Sequence, residues 1–116
     1  MQVQTEHLAD LDVLVLQPAG TLDAASSKAF QGRSFDLIGD RRRVLLDLAQ
    51  VNFIDSSGLA SILALVRHLT QQGGEIKLCS ASKAVQAVLE MVRMPRVVDT
   101  HRDRQEALAA FPVPSE

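Results

Sequence analysis

The residues best suited to chemistry lie together in one stretch, residues 51–59, which reads VNFIDSSGL. Within it Asp55, Ser56, Ser57 and Gly58 follow one another between an apolar run and a run with helical spacing. A helix that begins there would bring free backbone N–H groups and the positive end of its dipole beside the two hydroxyls. The position suits a serine that another protein can reach and phosphorylate.

A purely structural role explains part of the same pattern. Ser56 or Ser57 could cap the helix, which stabilises a helix by about 1 kcal/mol, and Gly58 could permit a close turn. Capping requires only one hydroxyl, so it leaves the succession of Asp55, Ser56 and Ser57 unexplained. On spacing alone, both interpretations of the stretch stay open.

Signatures of catalysis are missing from the sequence. It contains no Walker-type loop, no GxGxxG run and no GxSxG elbow. His7, His68 and His101 lack the spacing of zinc ligands. A hydrolase that uses Ser57 with a histidine is therefore strongly disfavoured, and we predict a protein that is not an enzyme and needs no cofactor or metal.

The composition predicts one globular domain in the cytoplasm. The chain has 116 residues, of which 47% are hydrophobic and 22% charged, enough for a single core. A net charge of −2 gives no reason to expect direct binding to nucleic acid. The first residues do not resemble a signal peptide, and no apolar run approaches the roughly 20 residues of a membrane span. The one cysteine, Cys79, lies in a predicted strand and is predicted to be buried.

Hydrophobic periodicity predicts strands that alternate with helices after an initial hairpin. The predicted strands are residues 3–8, 13–16, 44–48, 75–79 and, as a short extended segment, 97–98. The predicted helices are residues 26–38, 58–72, a segment that follows Ser80 or Ser82 and ends at Met94, and 102–111. We therefore predict one α/β domain over residues 1–116. It has a mixed, mostly parallel sheet of four to five strands, about four flanking helices, and a flexible C-terminal end at about 112–116.

Residues 47–59, DLAQVNFIDSSGL, resemble the signature of bacterial anti-sigma factor antagonists of the STAS domain class. The segment Gly20-Thr21-Leu22-Asp23 is similar to the Gly-x-Leu-Asp turn of that family. Residues 73–78 are similar to its later strand entry, and residues 85–95 to its penultimate helix. The resemblance covers most of the chain and implies a single STAS domain.

The resemblance also implies a phosphorylation-controlled partner switch. An unphosphorylated protein of this class binds an anti-sigma factor that is also a serine kinase, and this binding frees a sigma factor. Phosphorylation ends the interaction, and a PP2C-type phosphatase restores it. By position the implied phosphoacceptor is Ser57, with Ser56 as the alternative. The implied partner-binding residues are Asp23, Asp55, Ser56, Ser57, Gly58 and Leu59.

STAS domains occur in other settings as well, which keeps a second function open. The chain could be a scaffold subunit of a membrane lipid-transport or stress-sensing complex and never be phosphorylated. Incubation with an active kinase separates the two functions, because only the switch protein would acquire phosphate.

Overall fold

A computed structural model describes residues 1–112 of the chain as an α/β fold. Its strands are β1 (Gln2–Leu8), β2 (Val13–Leu22), β3 (Arg43–Asp47), β4 (Val51–Ile54), β5 (Glu75–Cys79) and β6 (Asp99–His101). Its helices are α1 (Ser27–Ile38), α2 (Ser56–Gln71), α3 (Lys83–Met91) and α4 (Arg104–Ala110), with a 3-10 turn at Met94–Arg96. None of these helices has the length and apolar character needed to cross a membrane.

The sheet is mixed and mostly parallel, as predicted. β1 and β2 form an antiparallel hairpin, and the parallel strands β3, β5 and β6 follow, in the order β1-β2-β3-β5-β6. β4 pairs in parallel with the last residues of β2. The prediction of one α/β domain with four helices is confirmed for the described residues.

The sheet has six strands rather than four to five, because residues 51–54 form a strand that the periodicity does not predict. β2 also continues past Pro18 and Gly20 to Leu22 instead of ending at residue 16. Its parallel neighbours leave a gap at Pro18, since β3 pairs only with Leu14–Leu16 and β4 begins pairing at Gly20. The missing N–H of the proline therefore costs no hydrogen bond to these neighbours.

The chain between α3 and β6 differs from the prediction in register. Ser82, one of the two predicted caps, accepts a backbone N–H in the first turn of α3. The helix ends at Met91 rather than Met94, because Arg93 adopts a left-handed conformation with φ of 60°. Val98 then donates its N–H to the Met94 carbonyl. The segment predicted as extended at 97–98 closes the 3-10 turn, and β6 begins at Asp99.

Two apolar clusters lie against the sheet. The larger contains side chains from α1, α2 and α3, including Phe30, Ile38, Ile62, Leu65, Leu69, Val85 and Leu89. The smaller contains Val13, Val15, Leu45, Cys79, Ala107 and Phe111, the last two contributed by α4 and the residue after it. Because three side chains of α2 are completely buried in the larger cluster, its N-terminus is held in a fixed position at the end of β4.

Pro112 is the one residue of the predicted flexible C-terminal end that the structure describes. Residues 113–116 of the predicted flexible segment 112–116 are outside the described residues. The carbonyl of Pro112 accepts a hydrogen bond of 3.0 Å from the Arg43 guanidinium. This bond ties the chain after α4 to the beginning of β3.

Ser34 is completely buried in α1, and its hydroxyl has no hydrogen-bond partner among residues 1–112. We expect Ser34→Ala to raise the free energy of unfolding by about 1 kcal/mol, because it removes an unpaired buried hydroxyl and favours the helix. Urea unfolding followed by circular dichroism measures the change.

Ser61 provides the matched control. It is equally buried in α2, but its hydroxyl donates a hydrogen bond of 2.7 Å to the Gly58 carbonyl. We expect Ser61→Ala to lower the free energy of unfolding by about 0.5 kcal/mol. If Ser34→Ala destabilises the protein as much as Ser61→Ala does, the Ser34 hydroxyl has a partner in solution and the prediction is wrong.

Candidate functional site

The predicted acceptor turn lies where β4 ends and α2 begins. Asp55 has an extended backbone, with φ of −117° and ψ of −169°, and precedes the first helical residue, Ser56. Its N–H donates to the Leu22 carbonyl at 3.1 Å, and its carbonyl accepts the N–H of Leu59 at 2.9 Å. The turn is therefore bonded on one side to the end of β2 and on the other to the first turn of α2.

Asp55 is the residue that caps α2. One oxygen of its carboxylate accepts the N–H groups of Ser57 at 2.9 Å and Gly58 at 3.1 Å. The interpretation of Ser56 or Ser57 as the cap is wrong, because Asp55 has the extended backbone of an N-cap residue and its carboxylate accepts both N–H groups. The capping role is filled without either hydroxyl.

The two hydroxyls have no hydrogen-bond partner within the described part of the chain, although their backbone is fixed. Ser56 is exposed, and Ser57 is partly buried. The expectation of free amides beside them needs correction. Asp55 already occupies the N–H groups of Ser57 and Gly58, so the N–H of Ser56 is the first-turn donor left for another acceptor.

Gly58 is required by the close approach of α2 to the end of β2. A Cβ at this position would overlap the Leu22 carbonyl and lie 2.8 Å from Cγ1 of Ile54 and 2.9 Å from Cβ of Leu22. Real Cβ atoms do not approach other atoms this closely. The glycine therefore allows the first turn of α2 to pack on the residue that precedes Asp23.

The turn after β2 places Asp23 beside the acceptor turn. The Asp23 carboxylate accepts the N–H groups of Ala25 at 3.0 Å and Ser26 at 3.1 Å. The Ser26 hydroxyl in turn donates to the Thr21 carbonyl at 2.6 Å. Since the carbonyl of the intervening Leu22 binds the Asp55 N–H, both turns lie at one edge of the molecule.

The structure thus brings together all six residues that the sequence analysis assigns to partner binding. Leu59 is partly buried and packs against the larger apolar cluster, so part of its side chain stabilises the core. The sequence-based assignment does not include one neighbouring residue, Phe53. Phe53 is 54% exposed on β4 and lies two residues before Asp55. The alternation of a strand does not reveal it, because β4 is buried at both ends and exposed at its two middle residues.

The STAS domain family model matches residues 2–107. The chain belongs to the STAS domain family. It is 28% identical to an anti-sigma F factor antagonist of Paenibacillus polymyxa over 99% of this chain and 98% of that protein. A solved anti-sigma-factor antagonist (STAS) domain protein from Planctomyces limnophilus is 27% identical, with a TM-score of 0.81 over 95% of this chain and 97% of that one. The resemblance to STAS anti-sigma factor antagonists is confirmed.

A more distant structure supports the fold of this STAS domain. An anti-sigma factor antagonist from Mycobacterium paratuberculosis has a TM-score of 0.84 and 19% identity, over 95% of this chain and 92% of that chain. The backbone arrangement is therefore retained at an identity too low to carry any statement about function.

The histidines of this STAS domain lie apart from the acceptor turn, as their sequence spacing indicates. His7 contacts the Asp12 carboxylate at 3.0 Å, and the ring of His68 packs on Phe35 with centroids 4.8 Å apart. His101 lies on β6, with Nδ1 3.4 Å from the carboxylate of Glu106. No group of metal-binding side chains occurs among residues 1–112.

Cys79 of the STAS domain is a core residue. It is 1% exposed in the smaller cluster, and burial raises the pKa of its thiol to about 11. The thiol therefore stays protonated at neutral pH and is a poor nucleophile. The prediction of a buried cysteine is confirmed.

Proposed function

We propose that this protein is an anti-sigma factor antagonist in a phosphorylation-controlled partner switch, with no catalytic activity of its own. Its unphosphorylated form binds an anti-sigma factor that is also a serine kinase, and a sigma factor is released. Phosphorylation of Ser57, with Ser56 as the alternative, ends this binding. A PP2C-type phosphatase restores it. Membership of the STAS domain family and the relative in Paenibacillus polymyxa support the proposal.

The observation that carries the proposal is the division of roles within the acceptor turn. Asp55 caps the helix, so neither Ser56 nor Ser57 is needed for that purpose. Their hydroxyls stay available to an incoming kinase while the backbone around them is fixed by bonds to Leu22 and Leu59. A preformed substrate loop costs the kinase little ordering entropy on binding.

The electrostatics of the turn explain how a phosphate could act as a switch. A phosphoserine carries about −1.5 to −2 charges at pH 7. A helix N-terminus usually compensates an anion with its amides, but here Asp55 already occupies two of them. The added charge would lie beside the carboxylates of Asp55 and Asp23. Water compensates this repulsion in the free protein, whereas a protein interface would remove that water and lose affinity.

Phe53 gives the acceptor turn a neighbouring apolar anchor for the kinase. Exposed aromatic side chains are common centres of binding energy in protein interfaces. Phe53 is 54% exposed on β4 and lies two residues before Asp55. We include it in the proposed partner surface with Asp23 and residues 55–59.

Phosphate mapping tests the acceptor directly. We expect the anti-sigma factor kinase from the same organism, with ATP, to add one phosphate per chain, and mass spectrometry to locate it on Ser57. Ser57→Ala should abolish the modification, and Ser56→Ala should retain it. Phosphate that persists in Ser57→Ala and disappears in Ser56→Ala assigns the acceptor to Ser56. A chain that an active kinase leaves unmodified contradicts the switch and favours a scaffold.

Affinity for the kinase tests the switch. We expect Ser57→Asp to weaken binding at least tenfold, which corresponds to about 1.4 kcal/mol, because it places a second carboxylate beside Asp55. Ser57→Asn is the matched control, since it adds nearly the same volume without charge, and should bind within about threefold of the original protein. Calorimetric titration measures both. Equal affinities of Ser57→Asp and Ser57→Asn would contradict the electrostatic mechanism.

A further inference from the structure

Exposed large apolar side chains concentrate in one segment of the chain, between the end of α3 and the beginning of β6. Four large apolar side chains are exposed in residues 1–112, and three of them lie after the middle of α3: Met91, Val92 and Val97. The fourth, Phe53, belongs to the proposed kinase surface. Apolar exposure that is confined to one region commonly marks an interaction site.

Val97 borders a groove beside the second half of α2. The groove has a volume of about 620 Å³ and is lined by Leu63, Val66, Arg67, Thr70, Gln71 and Val97. We call this surface the α2 groove. A smaller depression of about 230 Å³ shares Val66, Thr70 and Val97 with it and extends it towards the beginning of β5. The α2 groove is shallow and open to solvent, so a partner element would lie along it.

The spacing of the lining residues matches a helix as the occupant. Leu63, Val66 and Thr70 follow one another at three- and four-residue intervals on one stripe of α2, on which Val66 is 6% exposed, and Val97 borders them directly after the 3-10 turn. The stripe is about 10 Å long, which equals two turns of a helix laid beside it. Amphipathic helices bind such grooves with apolar side chains at similar intervals.

The charges around the groove indicate which charge a partner should carry. Arg67 lines it, Arg96 lines the adjoining depression, and Arg93 is exposed next to the 3-10 turn. None of these guanidinium groups forms a hydrogen bond or an ion pair with another described residue. The rim of the groove therefore offers uncompensated positive charge to an acidic partner.

The two acidic residues at the end of the groove, Glu75 and Asp99, offset only part of this charge. The ammonium group of Lys77 lies 2.7 Å from the carboxylate of Asp99 and 4.0 Å from that of Glu75. This one buried cation neutralises one of the two carboxylates, so one negative charge remains against three unpaired arginines. The rim of the groove is therefore positive on balance.

We propose that the α2 groove binds an acidic amphipathic helix of a partner protein, with apolar side chains between Leu63, Val66 and Val97 and carboxylates at Arg67 and Arg96. Along α2 the groove begins at Leu63, about 9 Å from Ser57, and extends to Thr70, about 20 Å from Ser57. The groove is therefore a second docking surface, separate from the acceptor turn. A partner could occupy it whether or not the acceptor serine carries phosphate.

The test uses a fluorescein-labelled synthetic helix of about 20 residues, with leucines at three- and four-residue intervals and glutamates on both flanks. Fluorescence anisotropy at low ionic strength measures binding. We expect saturable binding of this peptide and at least tenfold weaker binding of the same peptide with lysine in place of glutamate. Val97→Asp, at a residue 55% exposed, should weaken binding of the acidic peptide at least tenfold without unfolding the domain.

Further variants assign the binding to the groove. Arg67→Glu combined with Arg96→Glu should reverse the preference between the two peptides, while Ser57→Asp and Phe53→Ala should bind the acidic peptide like the original protein. Thermal unfolding of each variant confirms its fold. The proposal is overturned by equal binding of both peptides, or by binding that Ser57→Asp abolishes. It is also overturned if Val97→Asp changes only self-association in sedimentation, or only binding to phosphatidylglycerol vesicles.

Discussion

Replacement of Gly58 by alanine should lower the free energy of unfolding by about 3 kcal/mol. The added Cβ would overlap the Leu22 carbonyl and lie within 2.9 Å of side-chain atoms of Leu22 and Ile54. The Leu22 carbonyl cannot move aside easily, because it belongs to β2 and also accepts the N–H of Asp55. Relief of the overlap requires α2 to move away from the end of β2. Equilibrium unfolding in urea, with circular dichroism as the probe, measures the loss.

Gly32 offers a matched control, since it is also a helical glycine. A Cβ at Gly32 would meet nothing within 4 Å. We expect Gly32→Ala to raise the free energy of unfolding by about 1 kcal/mol, because alanine favours the helix and has less entropy to lose on folding. Opposite signs for the two substitutions would separate the close approach at Gly58 from general helix propensity. A stabilising effect of Gly58→Ala would contradict the packing described for the acceptor turn.

The same substitution connects stability with the proposed switch. Movement of α2 away from Leu22 would also separate Asp55 from the turn that holds Asp23. We expect the folded molecules of the Gly58→Ala variant to be phosphorylated more slowly than the original protein. The Gly32→Ala variant should be phosphorylated at the same rate as the original protein. Gly58 thus acts on the acceptor serine by fixing its backbone and need not contact the kinase.

Local signals in the sequence are sufficient for most of the fold. α2 was predictable because its apolar residues recur at helical intervals over 16 residues. β3 was predictable because it contains a continuous apolar run, and β5 because its apolar residues Ile76, Leu78 and Cys79 directly follow the helix stop at residues 73–74. The acceptor turn was predictable as a site because its residue types occur between such a strand and such a helix.

Features that depend on pairing between distant segments were not predictable in the same way. β4 has four residues, of which the middle two are exposed, and it exists because β2 continues past Pro18 to meet it. Val97 resembles a strand residue in the sequence, yet the left-handed backbone at Arg93 delays β6 until Asp99. For β4 the decisive contact lies about 30 residues away, and for Val97 it is a backbone conformation that residue type alone does not specify.

The cap of α2 illustrates a limit of a different kind. Asp55 and Ser56 are both good N-cap residues, and one position separates them. The choice depends on where the backbone changes from extended to helical, and the bond between the Asp55 N–H and Leu22 determines that point. Spacing identifies the turn, but only tertiary structure determines which side chain caps it and which hydroxyls stay free.

Removal of the partner of buried Lys77 should be the other strongly destabilising change. The Lys77 side chain is 6% exposed, and its ammonium lies 2.7 Å from Asp99 and 5.1 Å from the ring centroid of Phe111. We expect Asp99→Asn to lower the free energy of unfolding by about 2 kcal/mol at pH 7, because it leaves a buried cation with weaker compensation. The exposure of Asp99, 66%, keeps the value below that of a fully buried pair.

A double substitution distinguishes destabilisation by the unpaired Lys77 charge from destabilisation by other effects of the Asp99 substitution. We expect Lys77→Met with Asp99→Asn to recover most of the lost stability, since a buried ion pair replaced by an apolar side chain is often neutral. Asp12→Asn is the control for an exposed pair, because Asp12 contacts His7 at the surface. It should change the free energy of unfolding by about 0.5 kcal/mol or less.

The pH dependence of the free energy of unfolding tests whether the charge of Asp99 stabilises the protein. The hydrogen bond from Lys77 lowers the pKa of Asp99 from its ordinary value of 3.8. A carboxylate with a lowered pKa contributes stability above the unfolded value, and that contribution is lost as the pH falls through the folded value. The difference in free energy of unfolding between the original protein and Asp99→Asn should therefore be constant near neutral pH and shrink below about pH 4. A difference that stays unchanged down to pH 2 would show that the Asp99 carboxylate does not stabilise Lys77 through its charge.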